Sequence, residues 1–316
     1  MKRNLLYGVV LASLLLGLAS AGTKEPPMSP AARLGKLLFF DPILSEDSSV
    51  SCASCHKPEF AFADTAVVST GVHGRKGTRN APSAMNVSAR ESLFWDGRAA
   101  TLEEQALGPI ANPVEMNLPV AEAVKRLKRN PRYRSLFLST FRRMPDARGL
   151  ATALASFERT LETSNTPNDR WLNEEPGGLT EQQIRGRDLF REKARCFECH
   201  FSPDFTGDEF RSIGLFNGRQ YADSGRFGIT HDSSDLGKMR VPGLRNVAMT
   251  APYMHDGSFK TLREVIDYYD DPMKVLPDGR NRDSLLREPL HLSEQEKQDL
   301  ESFLHALTDD RFRKAQ

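Results

Sequence analysis

The chain has 316 residues and a formal charge of +1, from 43 basic and 42 acidic side chains. Its 39% hydrophobic and 27% charged residues are the mix of an ordinary globular protein, and the length suits two domains of roughly 100–200 residues each. The near-neutral balance argues against nucleic-acid binding, and a single apolar run, at the N-terminus, excludes a polytopic membrane protein.

Residues 1–21 open with Lys2 and Arg3, run through an apolar stretch from Leu5 to Leu18 and end Ala19-Ser20-Ala21. That is the pattern of a cleaved signal peptide. Its apolar part is shorter than the roughly 20 residues of a membrane span. Export to the periplasm, with cleavage after Ala21 and no span left behind, is the expectation. Ser29-Pro30 is a cap and first-turn pair for a helix that ends near Leu34-Gly35-Lys36-Leu37-Leu38-Phe39. Then comes Cys52-Ala-Ser-Cys55-His56. Helical spacing recurs over Leu102–Leu107, Val120–Lys128, Pro131–Phe141 and Gly149–Leu161.

Residues 163–178 are polar, with two prolines and two glycines, and read as a linker; Trp171 within it has no assigned role. Thr180 and Gln183 form a capping box for the next helix. It ends near Arg185-Gly186-Arg187-Asp188-Leu189-Phe190, a weak echo of the segment at Leu34, and leads to Cys196-Phe-Glu-Cys199-His200. Ser202–Gly243 reads as a long loop, Thr261–Tyr269 as a helix, and Ser293 with Glu296 caps a last helix. No strand pattern stands out.

Exported proteins with four cysteines suggest two disulfides. Here all four lie in two Cys-x-x-Cys-His motifs, the attachment signature of haem c. The thiols add to the haem vinyl groups, and His56 and His200 become iron ligands. The expected fold is all-α. Two cytochrome c-like domains, 22–162 and 179–316, each enclose one covalent haem.

Further residues resemble the bacterial di-haem cytochrome c peroxidases, in their MauG-like branch. They are Gly35–Asp41, Gly71–Pro82, Phe94-Trp95-Asp96-Gly97-Arg98, Asn112-Pro-Val-Glu-Met116 and Ala251–Gly257. The resemblance implies a peroxidatic N-terminal haem, an electron-transfer C-terminal haem and calcium between them. Glu115 matches the glutamate that moves a proton between peroxide oxygens. Gln105 matches a distal-pocket glutamine, and Trp95 a relay between the haems. Asn80, Thr250 and Pro252 match the calcium ligands. His73 is either a distal ligand or off the iron, since it falls one residue late and Val72 takes the usual ligand position.

Conventional members place a methionine on the second iron, fourteen residues after the histidine here numbered His255. This chain has Tyr269 there, as MauG-like proteins do. A phenolate favours oxidised iron, whereas methionine raises the haem potential. The implied substrate is hydrogen peroxide. The implied partner is a periplasmic protein, either oxidised by the enzyme or donating electrons to it; a homodimer is compatible. Two haems per chain are expected in a pyridine haemochrome assay, and Cys52→Ala or Cys196→Ala should each remove one.

Overall fold

The computed structural model describes residues 27–313; the segment read as a signal peptide lies outside them. α1 (Pro30–Phe40) starts where the Ser29 hydroxyl accepts the Ala32 N–H and Pro30 sets the first turn. A short connection leads to α2 (Cys52–Cys55), one helical turn that ends at His56. A long run of turns follows before α3 (Leu102–Ala111), which is capped by Thr101. α4 (Val120–Arg129), α5 (Pro131–Phe141) and α6 (Ala147–Glu158) complete the N-terminal half.

α7 (Pro167–Leu172) crosses to the C-terminal half, which begins with α8 (Glu181–Arg191). A loop region carries the short α9 (Phe227–Thr230). α10 (Leu262–Asp270) and α11 (Pro272–Val275) follow, then α12 (Glu294–His305) and α13 (Asp310–Arg313). The fold is helix-rich, with one small departure from the all-α expectation. Inside the 202–243 loop, β1 (Phe210–Arg211) pairs antiparallel with β2 (Met239–Arg240). Two residues per strand leave no alternating pattern to read in sequence.

The weak echo between the halves has a steric cause. A Cβ on Gly35 would stand 1.8 Å from the Ala153 carbonyl oxygen, and one on Gly186 1.9 Å from that of Asp299. So α1 crosses α6, and α8 crosses α12, at a distance only glycine permits. One turn later the same phenylalanine meets the same partner in each half. Phe39 lies 5.1 Å from Phe157, and Phe190 lies 5.4 Å from Phe303, ring centre to ring centre.

Each half has its own core, built on Leu34, Leu38, Phe137 and Leu150 in the first and on Phe190, Ile266, Phe303 and Leu307 in the second. The end of the chain returns: Phe312 of α13 packs into the first core. The segment expected to link the halves is a packed strap. Thr166 is 0% exposed and Asn168 2%. A Thr166–Asp169 capping box starts α7, and Asp169 takes two bonds from Arg245, at 2.9 and 3.0 Å.

Gly186→Ala should cost about 1–3 kcal/mol, the usual penalty for forcing extra volume into a tight contact. Thermal unfolding of the haem-loaded protein is the check.

Candidate active site

The two attachment loops share one geometry. Positive φ at Ala61 and Phe62, 51° and 57°, folds the chain back after His56. The Phe62 carbonyl then lies 3.0 Å from His56 Nδ1, with the Pro82 carbonyl also facing it. In the second loop, His200 Nδ1 lies 3.0 Å from the Phe205 carbonyl and 3.1 Å from that of Pro242. A carbonyl only accepts, so Nδ1 carries the proton in both rings. Nε2 is left with its lone pair, the state an iron ligand needs. Burial holds both imidazoles below the usual histidine range.

The four cysteines form no disulfide. Burial pushes the Cys52 and Cys196 thiols up to about 12, which disfavours a thiolate metal site or a reactive dithiol. Cys196, Cys199 and His200 open onto a large, mainly apolar cavity that Tyr269, Trp95 and Leu300 also line. Two thiols, a free imidazole nitrogen and an apolar chamber are what a covalent haem requires, so these residues fit the group.

At the first centre, burial raises the Cys52 and Cys55 thiols, and the half-buried Glu115 carboxylate adds a lesser share to both. Burial raises its own pKa above the carboxylate range, against an Asn112 amide that donates to Oε1 at 2.7 Å. Gln105 is half-buried on α3, and its side chain has no hydrogen-bond partner among the described residues. His73 turns outward: its side chain is 48% exposed, with Nε2 3.0 Å from Glu46 and Nδ1 3.8 Å from Asp47. Val72, 0% exposed, points into the core instead.

Trp95 stands between the halves. Its Nε1–H donates to the Asn80 carbonyl at 2.9 Å, and the Asn80 N–H donates to the His255 carbonyl at 2.7 Å. The indole and the His255 ring meet edge-on, 6.4 Å apart. Arg79 spans the same seam, with bonds of 2.6 and 2.8 Å to Asp223 and 2.6 Å to Asp96. Asn80, Thr250 and Pro252 line the cavity wall near Trp95.

Tyr269 and Tyr268 are neighbours with different fates. The Tyr268 hydroxyl donates to the Ile213 carbonyl at 2.6 Å. The Tyr269 hydroxyl faces the cavity with no hydrogen-bond partner among the described residues, and burial raises its pKa. Met273, just beyond, is 44% exposed, and its sulfur contacts Arg282.

A second internal repeat, unseen in the sequence reading, organises this site. Leu93-Phe94-Trp95-Asp96-Gly97 and Tyr253-Met254-His255-Asp256-Gly257 have the same turn. Phe94 and Met254 have φ of 65° and 70°, and Gly97 and Gly257 of 69° and 66°. The register extends back through Pro82 and Pro242, and through Asn86 and Asn246, both left-handed. It extends forward to the caps Thr101 and Thr261, each accepting a glutamate N–H at 3.1 Å. Trp95 and His255 are therefore equivalent residues that touch. In the same register Tyr269 on α10 corresponds to Pro109 on α3, a side chain with no donor for iron. The Asp-Gly and Asn-Val pairs at matching spacing were the signal in the sequence.

Asn112→Ala removes the bond that favours ionised Glu115. Its pKa should then rise further, so the carboxyl stays protonated to higher pH than in the parent, as a carbon NMR titration of labelled glutamate would show.

Residues 29–177 match the family model described as di-haem cytochrome c peroxidase. The methylamine utilization protein MauG of Methylorubrum extorquens is 38% identical over 289 residues, covering 90% of this chain and 80% of that one. The cytochrome c551 peroxidase of Nitrosomonas europaea is 36% identical, covering 84% of each. A solved structure described as a MauG-like protein associated with microbial copper homeostasis superposes with a TM-score of 0.83 at 36% identity, over 90% of this chain and 91% of that one. The repeated attachment loops, the seam between them and these relatives lead to one conclusion: the chain belongs to the di-haem cytochrome c peroxidase family, oxidoreductases that act on peroxide.

Proposed function

We propose that this protein is a periplasmic, MauG-like oxidase that draws oxidising equivalents from hydrogen peroxide and delivers them to a partner protein. The observation that carries the reading is Tyr269, a half-buried phenol that lines the second haem cavity with its hydroxyl unbonded among the described residues, where conventional relatives place methionine. With His200, the phenol would hold the second haem iron, and its negative charge would favour the oxidised metal. Haem c supplies the iron that binds peroxide at the first centre and exchanges electrons at the second.

The chain's own residues do the rest. Glu115, with its raised pKa, takes the proton from one peroxide oxygen and returns it to the other. Gln105 orients the bound peroxide by its amide. Pro109 carries no atom that would ligate the first iron, and His73 is engaged by Glu46. Trp95 relays charge between the centres. Asn80, Thr250 and Pro252 hold calcium through oxygen donors that suit a hard cation. Each peroxide takes two electrons and two protons and leaves as two waters; the electrons come from the partner.

A detoxifying peroxidase fed by a small cytochrome or copper protein is the second reading, favoured by relatives named cytochrome c peroxidase. One equivalent of peroxide added to the fully ferric protein, without donor, separates the two. The MauG-like reading expects a persistent change in the optical and Mössbauer spectra, amounting to two oxidising equivalents. Glu115→Gln should slow its formation by about 10²–10⁴-fold. A protein inert until one haem is reduced would establish the conventional cycle instead.

A further inference from the structure

The formal charge of +1 hides a strong segregation. Residues 120–148 carry nine lysines and arginines against two acids, Glu122 and Asp146, so the rest of the chain is net acidic. This stretch forms α4, α5 and the turn into α6. Both acids are engaged locally, Glu122 by Lys125 at 2.6 Å and Asp146 by Arg143 at 3.1 Å. Arg126 bonds the Ser45 and Glu46 carbonyls at 2.6 and 2.7 Å. The other six cations, Lys128, Arg129, Arg132, Arg134, Arg142 and Arg148, are exposed. None has an ion-pair or hydrogen-bond partner for its side chain among the described residues. In the C-terminal half cations are more often paired: Arg185, Arg211, Arg240, Arg245 and Lys297 are each held by a carboxylate.

Apolar side chains stand among these cations. Leu138 is 45% exposed and Met144 41%. α1 lies beside α5, tied by the Tyr133 hydroxyl donating to Asp41 at 2.5 Å, and it adds Leu37 and Phe40, 38% and 41% exposed. On α4, Ala123 and Leu127 are buried in the core and cannot be surrendered.

We propose that this face binds an anionic phospholipid bilayer, peripherally and reversibly. Long unpaired cations spread over α4, α5, the turn after it and the start of α6 suit a diffuse field of headgroup phosphates. A specific protein interface needs converging donors and acceptors and an anchoring pocket. Here no carboxylate is free, and the Ser139 hydroxyl is turned back to the Leu136 carbonyl at 3.0 Å. The few exposed apolar side chains reach the headgroup boundary without inserting a helix. Near an anionic surface each cation strengthens attachment about fivefold, and salt screens it within about 10 Å.

The test is sedimentation of the exported, haem-loaded protein with vesicles of phosphatidylcholine, with or without phosphatidylglycerol, at low and high salt. Binding should require phosphatidylglycerol and fade at high salt. The variant Arg129→Glu/Arg132→Glu/Arg134→Glu should bind at least about 100-fold more weakly, with both haems and peroxide consumption retained. The milder Arg→Gln triple should fall between, which guards against a folding defect in the charge reversal. No binding to phosphatidylglycerol vesicles, or equal binding by parent and variant, would overturn the proposal. Capture by poly-L-glutamate without vesicle binding would overturn it in favour of an acidic polypeptide.

Discussion

One guanidinium ties the two halves together beside Trp95, at the seam between them. Arg79 comes from the N-terminal half, grips Asp223 of the C-terminal half with two nitrogens and holds Asp96, the neighbour of Trp95, with the third. Asp96 is in turn held by Arg98, and Asp223 faces His255 at 3.9 Å. Such a buried chain of ions adds little net stability, because removing the charges from water costs nearly what their attraction returns. Removing one member is another matter, since it strands a charge. The network therefore acts as a register: it lets the halves meet in one arrangement, with Trp95 against His255, and penalises others.

That arrangement uses one backbone twice for different ends. The turn that carries Trp95 is the turn that carries His255, and the helix that presents Tyr269 is the counterpart of the one that holds Pro109. The shared parts are those that hold a haem: the glycine crossings at Gly35 and Gly186, and the carbonyls that fix each imidazole. Divergence is concentrated at the opposite face of each iron. There Pro109 offers no atom that could ligate iron, where its counterpart Tyr269 offers a phenol. Asymmetric chemistry thus comes from a nearly symmetric frame.

The sequence disclosed what depends on local chemistry. Both haem motifs, the Ser29, Thr180 and Ser293 caps, and the helices that carry the cores are readable from spacing alone. Resemblance added Glu115, Gln105, Trp95 and Tyr269; of these, Trp95 and Tyr269 line the cavity beside Cys196, Cys199 and His200. What stayed hidden depends on partners far along the chain. Arg79 and Asp223 are 144 residues apart, and nothing near either announces the other. The outward turn of His73 depends on Glu46 and Asp47 being close by. The polar composition of residues 163–178 suggests a loose tether, yet Thr166 is buried with its hydroxyl bonded to Asp169, and Asn168 is buried with its backbone N–H donating to the Ala306 carbonyl. The neutral total charge likewise concealed a basic face, since a sum carries no geography.

The packed strap has a consequence for how such a molecule can be controlled. With α7 bonded to Arg245 on one side and Arg170 to Asp310 at 2.8 Å on the other, and with Phe312 returned to the first core, the halves have no hinge. The route from one iron site to the other therefore has a length that thermal motion hardly changes, and electron tunnelling along it runs at a nearly constant pace. Control would then fall to the surroundings of the first haem site, such as the turn at Val72–Gly74. It would act by admitting or refusing the oxidant, and not by drawing the two centres apart.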